Sequence, residues 1–324
     1  MSNTFKDTFL KNKRALSIGL ILVCSLYIGA ILYATPDKLF TAFSKMNLFN
    51  WLLVLSCSLI NYILRFIRWH YYLRYLQHKI AVSQHFLYYM TGFALTITPA
   101  KIGETIRSTY LAQHYVPYAH SLAMFFTERF LDVVVISLLS LLSLEITNNL
   151  SSNNISNFVF LSIIVIVSFI PLLRQSFVTR LLTFLSDKIY FKKLQSLLKH
   201  LIHLLSIARE LFSIKPAYNG IILGLIAWSI QGLAFHFILT TLNIELSLQQ
   251  SIGIYAISLL AGALSFIPGG IGTTEAVMTL LLTLLGADTA TAIAAALISR
   301  LSTLWFAVVL GFIAAFVLSL RKDN

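Results

Sequence analysis

The sequence predicts an all-α polytopic membrane protein with about six full transmembrane helices and two re-entrant helical hairpins, arranged as an inverted repeat with both termini cytoplasmic. Three observations carry this expectation. Only 11% of the 324 residues are charged and 58% are apolar, whereas a soluble domain carries about 25% charged residues. Several apolar stretches reach the roughly 20 residues that cross a bilayer. The Lys and Arg residues gather in a few segments between those stretches, which sets orientation, because cytoplasmic loops are enriched in positive charge.

The elements follow in chain order. Residues 1–14 contain Lys6, Lys11, Lys13 and Arg14 and form a cytoplasmic N-terminus. The span 15–35 lacks an A-x-A-like cleavage site and is read as retained. The span 50–69 returns inward to Arg65, Arg68, Arg74 and Lys79. The span 120–145 must exit, because it ends at an Asn/Ser-rich loop, 147–156, with no basic residue. Residues 85–118 therefore enter and leave from the cytoplasmic side, and the first membrane repeat is 15–146. In the second repeat, 147–173 comprises the loop and an inward span, 157–173. Residues 174–215 form a linker with eight basic residues, from Arg174 to Lys215. Its leucine pattern (Leu194, Leu197, Leu198, Leu201) predicts helices lying on the cytoplasmic surface or packed on the bundle. Residues 216–320 complete the repeat: an outward span 217–242, a second hairpin 251–287 entered from outside, and a last span 291–320. That span ends at the cytoplasmic tail, 321–324, with Arg321 and Lys322.

The net charge of +12 belongs to these inter-helix segments, so it points to anionic headgroups and not to nucleic acid. Cys24 and Cys57 lie in apolar segments and read as small core residues. His200 and His203 have no companions at metal-ligand spacing, so neither a metal nor a cofactor is expected.

The two hairpins carry related breaks. Gly92-Phe-Ala-Leu-Thr precedes Pro99-Ala-Lys-Ile-Gly103-Glu104, and Gly262-Ala-Leu-Ser precedes Pro268-Gly269-Gly270-Ile-Gly272-Thr-Thr-Glu275. An Arg follows in the next helix of each half, Arg129 and Arg300. Inverted repeats with discontinuous helices place a transporter's site where the halves meet. Charges at membrane depth are costly and mark function. Lys101, Glu104, Arg107, Glu128, Arg129, Asp132, Glu275 and Arg300 are therefore the candidate headgroup-binding residues, with half-helix N-termini after Pro99 and Pro268 adding positive dipole ends. Internal salt bridges are the competing reading, foremost for Glu128, Arg129 and Asp132, whose spacing lets them pair. Arg65, Arg68 and Arg74, interleaved with Trp and Tyr, are expected at the membrane surface in contact with headgroups.

The ordered set Arg65-x-x-Arg-Trp, Pro99-x-x-x-Gly-Glu-x-x-Arg107, Glu128-Arg-x-x-Asp132, Pro268-Gly-Gly-x-Gly-x-x-Glu275 and Arg300 resembles the transmembrane region of lysylphosphatidylglycerol synthases, the flippase-like domain family, over residues 15–320. The resemblance implies a bacterial or archaeal plasma (inner) membrane domain that moves a lipid between leaflets. The sequence ends at Asn324 without the soluble aminoacyltransferase domain of the fused members, and Ala100 stands where the family often has Gly. The leading expectation is a flippase or scramblase for an anionic phospholipid or lipid-linked glycan. No Walker A motif suggests ATP as its drive. The alternatives are a membrane enzyme acting on a lipid-linked substrate and a non-catalytic partner of a lipid-modifying enzyme. No catalytic motif favours the enzyme.

Overall fold

A computed structural model describes residues 36–143, 183–184 and 192–321. The expected span 15–35, the loop 147–156 and the span 157–173 lie outside the described residues. Among the described residues the chain is helical throughout, with no strand. The first half contains α1 (Pro36–Ser44), α2 (Leu48–Tyr75), α3 (Val82–Gly92), α4 (Ile106–Ala112) and α5 (Tyr118–Ser140). The linker contributes α6 (Lys192–Leu211). The second half contains α7 (Ile214–Thr241), α8 (Leu248–Leu264), α9 (Thr273–Leu284), α10 (Thr289–Arg300) and α11 (Phe306–Leu320).

The boundaries follow from local chemistry. Asn47 caps α2 by accepting from the Asn50 amide at 2.9 Å, and Ser247 and Gln250 cap α8 reciprocally. Asp288 accepts from the Thr291 amide at the start of α10. Proline starts a short 3₁₀ turn in each hairpin, Pro99–Thr105 and Pro268–Gly270, since it has no amide to continue a preceding helix. A five-residue π-helical turn, Leu301–Trp305, joins α10 to α11, so the expected last span runs from Thr289 to Leu320 with a widened turn inside it.

Among the described residues, three helical stretches are long and apolar enough to cross a membrane: Leu48–Tyr75, Ile214–Thr241 and Thr289–Leu320, with mean hydropathies of 1.5, 1.9 and 2.4. Their outward faces are apolar, with Leu52, Ile60 and Ile67 on α2 and Val309, Ile313 and Phe316 on α11 exposed. Hydrocarbon is the natural solvent for such faces. α5 carries Glu128, Arg129 and Asp132 within its length.

The packing exchanges parts between the halves. α2 and α7, each 28 residues long, run against each other at the centre. The contact is close because Gly220 and Gly224 of α7 face it. A Cβ on Gly220 would strike the Tyr72 hydroxyl, and one on Gly224 would come within 3.1 Å of the Arg68 guanidinium. Small residues serve this purpose where lipid supplies no hydrophobic drive. α5, last in the first half, packs on α8 of the second hairpin, while α11, last in the second half, packs on α3 and the turn after it in the first. The two 3₁₀ turns touch each other. α6 packs against α5 through its C-terminal end, burying Ile207, Ala208 and Leu211. Of the two expectations for the linker, this part of it follows bundle packing.

Candidate functional site

Two arginines of α2 and two carboxylates of α5 face one another because their spacings match helix periodicity. Arg65 and Arg68 are three residues apart, and Glu128 and Asp132 four, so each pair shares a face. Arg68 lies 2.6 Å from Asp132 and 3.4 Å from Glu128, and Arg65 3.4 Å from Glu128 and 3.6 Å from Asp132. Trp228 on α7 donates its indole N–H to Asp132 at 3.1 Å. Arg107 of α4 adds a third guanidinium. It pairs with Glu104 at 2.8 Å, approaches Glu128 at 3.5 Å and sits 4.0 Å from the Tyr89 ring centroid. Tyr89 in turn donates to Glu128 at 2.9 Å. Gly92 is required beside it, since a Cβ there would run into the Arg107 guanidinium.

The breaks bring further charges to this core. In the first, Thr96 donates to Glu104 at 2.8 Å and the Thr98 hydroxyl accepts from the Gly103 amide at 2.6 Å. Lys101 takes a left-handed conformation, φ 56°, which is unusual for a side chain with a Cβ. At the same place in the second break, third from the proline, stands Gly270 at φ 65°. There the Glu275 carboxylate accepts from the Gly272 amide at 2.9 Å and from Arg300 Nε at 3.1 Å, and Arg300 also donates to the Gly269 carbonyl. Arg300 follows Glu275 by 25 residues, and Arg129 follows Glu104 at the same separation. That pair also meets, at 3.9 Å.

Between these parts lies a cavity of about 300 Å³ lined from both halves. Its charged wall consists of Arg65, Lys101, Arg129, Arg300 and Asp132. Asn61, Thr96, Gln231 and Thr274 add polar atoms, while Phe93, Ile136, Leu259, Phe266 and Leu304 make the rest apolar. Lys101 makes no ion pair among the described residues, whereas Arg129 reaches Glu128 at 3.0 Å and Asp132 at 3.4 Å through Nη2 and has its Nε buried without a hydrogen-bond partner. Four cations with one carboxylate on a partly apolar wall suit an anionic group attached to an apolar body.

Of the sequence-derived candidates, Lys101, Arg129, Asp132 and Arg300 line this cavity. Glu104, Arg107, Glu128 and Glu275 are buried behind the wall, where the three carboxylates hold its arginines. Pro99, Gly103, Pro268, Gly269, Gly270 and Gly272 all lie in the two breaks. Arg65 and Arg68, expected at the membrane surface, are instead interior, with side chains 5% and 0% exposed. The carboxylates of α5 draw them in. Arg74, at the end of α2, is exposed. The expected dipole sites are corrected as well: α4 is a single short helix beyond a 3₁₀ turn, and the Gly272 amide that caps the start of α9 donates to the carboxylate of Glu275. Tyr62, Tyr89, Trp228 and Tyr255 were not legible as site residues. Asn61 and Gln231 were open to detection as polar residues inside apolar spans. Among the described residues no cluster of His, Cys, Asp and Glu has the makings of a metal site.

A family model described as the lysylphosphatidylglycerol synthase TM region matches residues 15–311. No curated protein matches the chain.

Proposed function

The chain belongs to the lysylphosphatidylglycerol synthase TM-region family, and on that premise we propose that it moves a phosphate-bearing lipid between leaflets, with the headgroup passing through the cavity between the two breaks. The observation that carries this reading is the wall of the cavity: Arg65, Lys101, Arg129 and Arg300 against the single carboxylate of Asp132. A headgroup phosphate balances those cations, while the apolar lining and the lipid outside accommodate the acyl chains. The exchange of helices between halves supports an inverted repeat, with 85–118 and 251–287 as re-entrant hairpins. Each half presents a break, a carboxylate after it, and an arginine 25 residues further on that reaches the carboxylate. Backbone irregularity at membrane depth is tolerated where it lines such a cavity, and alternating access rocks one repeat against the other around a central site.

Reconstitution tests the reading. Liposomes holding fluorescent phosphatidic acid or phosphatidylglycerol in one leaflet are expected to equilibrate at least one of the two when the protein is present, with the rate falling at least about tenfold in Arg129→Ala and in Arg300→Ala. Equal transfer by wild type and both variants would overturn the assignment to this cavity. No transfer by folded wild type would overturn the function.

A further inference from the structure

The charges in and behind the cavity do not balance. Among the described residues, Arg65, Arg68, Lys101, Arg107 and Arg129 face only Glu104, Glu128 and Asp132, so five cations meet three carboxylates. Arg300 and Glu275 form their own pair and cancel.

The three carboxylates are each shared among several groups. Glu128 already meets Arg65, Arg68, Arg107 and Arg129, Glu104 is held by Arg107 and Thr96, and Asp132 by Arg68 and Trp228. Left over on the wall is Lys101, with no ion pair among the described residues, while Arg129 shares Glu128 at 3.0 Å and Asp132 at 3.4 Å with the other arginines and keeps its Nε without a hydrogen-bond partner. Lys101 is also held at φ 56° where the second break has glycine. Strain of this kind persists where a side chain is needed in place.

A phosphodiester carries one negative charge and leaves one of the two surplus cations uncompensated. A phosphate monoester carries about −1.5 to −2 at neutral pH and offers three acceptor oxygens. We propose, resting on the lipid-translocation reading, that the headgroup is a terminal phosphate monoester, as on a phosphatidate or a long-chain alkyl or prenyl phosphate, and not the phosphodiester of ordinary phospholipids. Lys101, which makes no ion pair among the described residues, and Arg129, which shares its carboxylates with other arginines, then face the two charges, with Arg65 and Arg300 closing the ring.

The test uses the full chain in neutral-lipid nanodiscs and the fluorescence of Trp228, which lines the cavity. Phosphatidic acid, phosphatidylglycerol and soluble glycerol 3-phosphate are titrated in turn. Phosphatidic acid is expected to bind at least about tenfold more tightly than phosphatidylglycerol, because it is held by one more charge-assisted contact. Lys101→Gln should lower the affinity for phosphatidic acid about tenfold and erase that preference, and Lys101→Arg should keep it. Equal affinity for the two lipids in wild type overturns the monoester inference and leaves lipid translocation standing. Loss of preference in Lys101→Arg as well as in Lys101→Gln overturns the role of charge. Glycerol 3-phosphate binding as tightly as phosphatidic acid overturns a lipid source for the phosphate. Binding of neither lipid overturns the lipid reading itself.

Discussion

Lys101 and Glu128 sit in the same polar core and are expected to respond to substitution in opposite senses. Lys101 stores backbone strain of about 1 kcal/mol and has no carboxylate partner, so Lys101→Gly should raise the thermal midpoint of the purified protein while lowering lipid transfer. A lower midpoint would mean that the lysine is structural. Glu128 meets four guanidiniums at 3.0–3.5 Å and the Tyr89 hydroxyl, with its side chain fully buried. Glu128→Gln leaves those arginines with a neutral partner and should destabilise by about 3–5 kcal/mol, read as poor recovery of folded protein in a detergent extraction and melting series. Recovery equal to wild type would contradict its place at the hub. At this scale the sequence was informative about which residues are charged at depth and less so about where they point. Arg65-x-x-Arg68 has the same pattern whether it reaches headgroups or carboxylates some sixty positions later in the chain, and only the meeting of α2 with α5 decides. The pairing of Arg129 with Asp132 was readable, because i,i+3 spacing on one helix needs no tertiary knowledge.

At the level of elements, the close contact of α11 with the first break is a sensitive joint. A Cβ on Gly311 would lie 2.7–2.8 Å from the backbone of Phe93 and Ala94, distances that force one element to move. Gly311→Val should therefore cost about 1–3 kcal/mol and, by shifting Leu304 and Ala307 on the cavity wall, slow transfer as well. Unchanged melting and transfer would contradict this packing. The breaks themselves were legible, since Pro and Gly leave a chemical mark. The π-helical turn after Arg300 was not, because Leu301-Ser-Thr-Leu-Trp305 contains neither residue. The wide turn serves the site: it follows Arg300 and contains Leu304, both on the cavity wall, and its Thr303 carbonyl accepts from Tyr62 of α2. Such turns recur at functional positions.

For the whole molecule, the central feature is reciprocity. α5 packs on the second hairpin, α11 packs on the first, and the two breaks meet where the cavity opens. Composition and charge asymmetry were sufficient to read a multi-pass helical membrane protein, because the bilayer leaves few alternatives. The exchange between halves was not readable, since it depends on contacts between residues far apart in the chain. The most direct test obstructs the cavity reversibly. Ala263 is small, exposed and on the cavity wall, so in a background with Cys24 and Cys57 replaced by Ala, Ala263→Cys can take a bulky methanethiosulfonate and release it on reduction. Lipid transfer in liposomes should fall at least about tenfold on modification and return on reduction, as expected when the proposed path of the charged headgroup is filled. Transfer unaffected by complete modification would contradict passage through this cavity.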